Sequence, residues 1–178
     1  METEVKLEVS ELESIRARLQ ALGAVLEGSV EEENIYLDHE GRLAARDESL
    51  RLRRDNGVHL TWKGPSSFEQ GIVQRPEIEV TVSSFADALA ILQRAGFVIT
   101  DQIHKHRETW RWQDVEISLD ILDFGTFIEL EGPPAGIRSL AAALGLDARR
   151  GIAVSYRALA RERRGRPGDT SQSKPASG

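Results

Sequence analysis

Charged side chains recur at two-residue spacing in separate segments of this chain, and that period limits what the chain can fold into. Glu2, Glu4 and Lys6 alternate with Val5, Leu7 and Val9. Arg51 and Arg53 flank Leu52, Glu77 and Glu79 flank Ile78, Lys105 and Arg107 flank His106, and Glu129 and Glu131 flank Leu130. Successive side chains of a β-strand point to opposite faces, so each segment predicts a strand with one apolar and one charged face. A solvated face has no reason to sort its charges, whereas Glu77/Glu79 and Glu129/Glu131 are carboxylate pairs and Arg51/Arg53 and Lys105/Arg107 are cation pairs. Neighbouring cations call for an anion between them, and paired carboxylates call for a divalent metal. A metal-bound polyphosphate meets both demands.

The rest of the sequence places these strands. Ser10 with Glu13 reads as a capping box before a helix carrying Leu12, Ile15, Leu19 and Leu22, which Gly23 ends. Residues 25–38 read as one or two strands, and 38–49 as a polar loop with a helical turn near Leu43. Strands at 50–54 and 58–63 meet through the turn Asp55-Asn56-Gly57. The Gly-, Ser- and Pro-rich stretch 64–74 reads as a flexible loop, followed by a strand at 75–82. Ser83 or Ser84 caps a helix with Phe85, Ala88, Leu89 and Leu92, ended by Gly96. Strands follow at 97–99, 104–112, 115–122 and 126–131, with helices over 135–144 and near 154–164. A single domain over 1–164 and a disordered tail over 165–178 are expected.

A Glu-x-Glu strand leading to a helix that ends in Gly recurs: Glu2/Glu4 before Gly23, Glu77/Glu79 before Gly96, and Glu129/Glu131 before Gly145. The pattern predicts an α+β protein whose antiparallel sheet of about eight strands closes, or nearly closes, into a barrel with helices outside. Val5, Leu7, Leu50, Leu52, Leu60, Trp62, Ile78, Val80, Val115, Ile117, Leu119, Ile128 and Leu130 then face the helices. The opposite set faces inward: Glu8, Thr61, Arg75, Arg111 and Glu116, with Glu2, Glu4, Lys6, Arg51, Arg53, Lys63, Glu77, Glu79, Lys105, Arg107, Asp120, Glu129 and Glu131. His104, His106, Trp110 and Trp112 fall on the outer parity and read as surface or packing residues.

Composition removes whole classes of chemistry. The absence of cysteine excludes disulfides, thiol nucleophiles and thiolate metal sites. A net charge of −6 weighs against nucleic-acid binding. No apolar run reaches the length of a membrane span, and no signal-peptide pattern opens the chain, so a cytoplasmic location is expected.

The ordered set of motifs resembles the CYTH family, the triphosphate tunnel metalloenzymes. It comprises Glu2-x-Glu4-x-Lys6, Tyr36-Leu37-Asp38, Leu50-Arg51-Leu52-Arg53, Leu60-Thr61-Trp62-Lys63-Gly64-Pro65, Arg75-x-Glu77-x-Glu79, Lys105-His106-Arg107-Glu108, Leu119-Asp120 and Gly125-x-Phe127-x-Glu129-x-Glu131. The resemblance implies that Lys6, Arg51, Arg53, Lys63, Lys105 and Arg107 grip phosphate oxygens. It implies that Glu2, Glu4, Asp120, Glu129 and Glu131 ligate Mg²⁺ or Mn²⁺ or activate the attacking group, with Glu77 and Glu79 in support. Glu4, Lys6 and Glu129 are the implied catalytic residues.

Within that family, the 60–65 segment, the 119–125 stretch and Ser155-Tyr156 look most like class IV adenylate cyclases, which convert ATP to cyclic AMP and pyrophosphate. The alternatives are a hydrolase of inorganic or thiamine triphosphate and a non-catalytic nucleotide- or polyphosphate-binding module. A nucleoside or inorganic triphosphate is the expected partner, and the resemblance is consistent with a homodimer.

Overall fold

A computed structural model describes residues 1–164, so the tail expected at 165–178 lies outside the described residues. The protein is α+β, with ten strands in one antiparallel sheet and four α-helices. The elements are β1 (Glu2–Glu8), α1 (Leu12–Ala21), β2 (Val25–Asp38), β3 (Ser49–Arg54), β4 (Val58–Lys63), β5 (Ser67–Glu69), β6 (Ile72–Arg75) and β7 (Glu77–Thr81), then α2 (Phe85–Arg94), β8 (Val98–Trp112), β9 (Val115–Leu122), β10 (Gly125–Glu131), α3 (Pro134–Ala143) and α4 (Tyr156–Arg164). Short 3₁₀ turns lie at Ala44–Arg46 and Ala148–Arg150.

The strand order is β5-β6-β1-β10-β9-β8-β2-β3-β4-β7, and the sheet is not closed into a barrel. β6 pairs with β1, β7 pairs with β4, and only Pro76 separates β6 from β7. One extended run therefore serves both sides of the opening. Proline has no N–H to donate and marks the point where pairing changes partner. The Gly64 N–H donates to the Pro76 carbonyl at 2.8 Å. Arg75 Nε donates to the Gly64 carbonyl at 2.9 Å, and Lys63 of β4 reaches Glu2 of β1. These contacts bring the margins together without a hydrogen-bonded ladder between them.

The three strand–helix–glycine units are present. Gly23, Gly96 and Gly145 have φ of 76°, 92° and 72°, a conformation that glycine adopts without Cβ strain. Each follows a helix whose end is satisfied by paired backbone bonds, such as Ala24 N–H to Leu19 O and Gly23 N–H to Gln20 O. Ser84 caps α2 by accepting from Asp87 N–H at 3.2 Å. The Ser10–Glu13 capping box does not form, because Glu11 occupies the α1 N-cap and no side chain bonds the free N–H groups.

The loop expected at 64–74 is instead largely a hairpin. β5 and β6 join through Gln70-Gly71, both with positive φ, the geometry of a tight turn matched to strand twist. The separate strands expected at 97–99 and 104–112 are one strand, β8, with a register shift opposite Tyr36/Leu37.

The outward parity set packs as expected under α1 and α3, where Val5, Leu7, Val115, Ile117, Leu119, Ile128 and Leu130 meet Ile15, Leu19, Ile137 and Leu140. Trp110 is buried in the same core, and Trp112 packs against it. Helix α2 covers Ile35, Leu37 and Leu52. The expectation fails on β7, where Ile78 and Val80 are 63 % and 51 % exposed, because no helix reaches them. Glu8 departs too. It lies at the end of β1, exposed, and pairs with Arg163 of α4.

The inner face is less uniformly charged than parity predicts. Ile103, Leu122 and Phe127 form an apolar patch at one end, and α4 covers it with Tyr156, Leu159 and Ala160. That placement brings Tyr156 into the charged interior.

Candidate functional site

Inside the curved sheet lies a cavity of about 950 Å³. Its lining includes Glu2, Glu4, Lys6, Arg51, Arg53, Lys63, Glu77, Glu79, Lys105, Arg107, Glu129 and Glu131, so the fold gathers the candidate phosphate- and metal-binding residues. Asp120 is the exception. It is fully buried and sits behind the lining, held by Lys105 Nζ at 3.0 Å, by Arg107 Nε and Nη2 at 2.7 and 2.6 Å, and by Tyr156 Oη at 2.8 Å. Its oxygens accept from two cations and from the Tyr156 hydroxyl.

The cations are positioned by their partners. Lys6 Nζ lies 3.3 Å from Glu129 Oε1 and 4.4 Å above the Tyr156 ring, and Lys105 Nζ is 5.1 Å from the same ring. Glu129 is shared between Lys6 and Arg107. Burial disfavours the charges of Glu129, Lys6 and Arg107, yet mutual attraction prevails. The Glu129 carboxyl is held well below the usual range by Lys6, Arg107 and Lys105, and Lys6 is raised by Glu129 and Glu4. Glu32, which strand parity had not singled out, lies 3.4 Å from Lys105 and 3.7 Å from Arg107. Burial opposes its charge, but Lys105, Arg107, Arg53 and Arg51 bring its carboxyl down to about 2.

On β3 and β4, Arg51 and Arg53 reach Glu79 at 3.5 and 3.6 Å, and Thr61 Oγ1 donates to Glu79 at 2.7 Å. The Nε atoms of Arg51 and Arg53 are buried without a hydrogen-bond partner. The Arg53 Nε–Asp55 Oδ2 separation is 3.0 Å, but it lies off the direction needed for a bond, so neither donor is filled.

A second zone is acidic. Register places Glu4 opposite Glu131 on β1 and β10, and Glu131 opposite Glu116 on β9, giving a row of carboxylates across adjacent strands. Like charges directly opposite are destabilising. Loss of hydration, together with Glu2, Glu116 and Glu4, pushes the Glu131 carboxyl up to about 7. Burial and Glu129 raise Glu4, and burial raises Glu2 against the pull of Lys63. Glu2 Oε1 pairs with Lys63 at 2.5 Å while Oε2 is buried without a partner. Among the described residues, no three Asp, Glu or His side chains already converge on one point. The donor set of hard carboxylate oxygens, in mutual repulsion and with one orphaned atom, nevertheless fits Mg²⁺ or Mn²⁺.

Strand parity also missed Asn34, Tyr36 and Tyr156. Glu32, Asn34, Tyr36 and Asp38 alternate with apolar Ile35 and Leu37, so the signal for β2 was present in the sequence. Tyr156 enters from α4, which strand periodicity cannot report. His104 and His106 stay on the outer face, His106 bonding Glu31 at 2.7 Å.

The CYTH domain profile matches residues 1–144. The chain belongs to the CYTH family. The match spans all ten strands and α1 to α3, leaving α4 and Tyr156 beyond it. A Methanocaldococcus jannaschii protein carrying a provisional adenylate cyclase name is 31% identical over 134 residues, 74% of this chain and 76% of that protein. The solved structure of a Pyrococcus horikoshii protein superposes with a TM-score of 0.78 at 25% identity, covering 89% of this chain and 99% of that one. A Hippeastrum structure, described as an adenylyl cyclase candidate with a dominant triphosphatase activity, gives a TM-score of 0.68 at 20% identity, covering 93% and 96% of the two chains. At that identity it speaks to the CYTH fold alone. No helix among the described residues is long and apolar enough to cross a membrane.

Proposed function

We propose that the cavity binds a triphosphate and that the protein breaks one of its phosphoanhydride bonds with the help of a divalent cation. The observation that carries this reading is the two-zone lining, in which buried cations with unfilled donors adjoin a row of mutually repelling carboxylates. Phosphate oxygens would satisfy Arg51 and Arg53, with Lys6, Lys63, Lys105 and Arg107 around them. Asp120, Glu32 and Glu129 fix the aim of Lys105, Arg107 and Lys6, so little reorganisation is needed when negative charge shifts during bond cleavage. Glu2, Glu4 and Glu131 would hold Mg²⁺ or Mn²⁺, which supplies charge neutralisation and lowers the pKa of the attacking hydroxyl. Glu4 is the carboxylate nearest in role to that hydroxyl, while Glu129 acts through the cations it pairs.

The finer reading is class IV adenylate cyclase-like: the ATP 3′-hydroxyl loses its proton and attacks the α-phosphate, and pyrophosphate leaves. The 31% identical relative with its adenylate cyclase name supports it. Hydrolysis of a triphosphate by water is the second reading, favoured by a cradle whose unfilled donors ask only for phosphate. Incubation with ATP, tripolyphosphate and thiamine triphosphate, each with Mg²⁺ and with Mn²⁺, separates them. Cyclic AMP with pyrophosphate selects the cyclase and orthophosphate selects the hydrolase. The absence of any product leaves a binding module and removes the catalytic reading.

A further inference from the structure

Asn34 has no part in gripping phosphate, yet it lines the cavity in the middle of β2 and is only 2 % exposed. Its Nδ2 donates to Glu32 Oε2 at 3.3 Å, and its Oδ1 is buried without a hydrogen-bond partner. Charge fixes which way the amide points. Glu32 is gripped by Lys105 and Arg107, stays ionised and can only accept, so the NH₂ faces it and Oδ1 is the open acceptor of this cavity-lining residue. A buried acceptor left open in this way is a vacancy for a donor.

The surroundings say what kind of donor. Asn34 stands opposite Arg53 on β3 and Ile103 on β8. Toward Glu32 the wall is cationic, beginning with Lys105. In the other direction lies Tyr36, with the Arg157 guanidinium 5.3 Å from its ring centre. Val98 and Val154 line the cavity as well, and both are exposed. Ionised phosphate oxygens are themselves acceptors and cannot fill Asn34 Oδ1. A metal ion is disfavoured beside Arg53 and Lys105. A neutral hydroxyl next to the phosphates meets the demand, and the aromatic and apolar surface beyond it suits a planar ring.

We propose that Asn34 is a specificity-determining residue that accepts a hydrogen bond from a sugar-type hydroxyl of an organic triphosphate, with the remainder of that ligand against Tyr36 and Val154. The assignment rests on the triphosphate reading above and deepens it to hydroxyl-bearing organic triphosphates rather than inorganic ones.

The test is calorimetry on the full chain with Mg²⁺, using α,β-methylene ATP, its 2′-deoxy and 3′-deoxy forms, and tripolyphosphate, for wild type and Asn34→Leu. In wild type, loss of one of the two hydroxyls weakens binding about five- to tenfold. In Asn34→Leu that difference disappears, while tripolyphosphate affinity stays within about twofold because no phosphate contact is lost. Deoxy forms that bind wild type as tightly as the parent overturn the assignment, and this arm stands even if the variant fails to fold. Equal weakening of nucleotide and tripolyphosphate by Asn34→Leu overturns it too, since that reports a structural role. Failure of wild type to bind tripolyphosphate at all removes the triphosphate reading itself, a result distinct from lost hydroxyl discrimination with tripolyphosphate binding intact.

Discussion

Replacing Asp120 by Asn separates two roles that a buried carboxylate near a polyphosphate site can have. Asp120 is 0 % exposed and accepts from Lys105, from the Nε and Nη2 edge of the Arg107 guanidinium and from Tyr156. Asn has the same shape but presents an NH₂ where one oxygen stood, so a donor faces donors and two buried cations lose their shared counter-charge. Removing one partner of such a buried network costs about 3–5 kcal/mol. In a domain of this size each kcal/mol lowers the melting temperature by about 2–4 °C, so the loss is roughly 6–20 °C. Asp101→Asn is the control, because Asp101 pairs with the largely exposed Arg161 and such pairs contribute about 0–1 kcal/mol. Thermal melts followed by circular dichroism, in metal-free buffer, measure both. A loss for Asp120→Asn no greater than for Asp101→Asn refutes the reasoning. Unchanged melting together with abolished Mn²⁺ dependence would return Asp120 to the metal ligands that the family resemblance implies.

Other parts of the account are open to direct measurement. The Glu131 carboxyl is raised from 4.5 to about 7 in the folded protein, so between those values the folded state binds more protons than the unfolded. Stability of the metal-free protein therefore falls as pH rises through that window, as urea midpoints will show; Glu131→Gln flattens the fall, and an unaltered slope refutes the carboxylate row. On the outer face, Ile78→Thr and Val80→Thr change stability by less than about 0.5 kcal/mol because both side chains are exposed. Leu52→Ala, buried under α2, costs about 2–5 kcal/mol by denaturant unfolding; equal losses at the three sites would contradict the uncovered β7 face. Glu4→Gln leaves the fold intact and lowers turnover by at least about a hundredfold, whereas unchanged turnover removes Glu4 from the metal-holding set.

The sequence shows the inner and outer faces of β1, β3, β7 and β10 because period-two alternation survives wherever a strand lies against a single core. It shows the ends of α1, α2 and α3 because only glycine enters the left-handed region without cost. It does not show that Ile78 and Val80 stay bare, because strand parity fixes which face a side chain takes and not whether a helix arrives to cover it. The register shift opposite Tyr36/Leu37 hides the continuity of β8, since one extra residue reverses the alternation that identifies a strand. The Gln70-Gly71 turn is masked by a Gly-, Ser- and Pro-rich neighbourhood that reads as loop. At the site, the gathering of Lys6, Arg51, Arg53, Lys63, Lys105 and Arg107 follows from parity. The removal of Asp120 from the cavity wall does not, because it depends on Tyr156 arriving from a helix more than thirty residues away.

The central claim is that a divalent cation on the carboxylate row and a triphosphate on the cations act together. It is tested most directly by the rate of phosphoanhydride cleavage, with ATP and with tripolyphosphate, as EDTA is added and Mg²⁺ or Mn²⁺ is then restored. Cleavage of at least one of them that stops with EDTA and returns with either metal is the predicted result. Cleavage that persists in EDTA, or tight triphosphate binding with no cleavage under any metal, would contradict it.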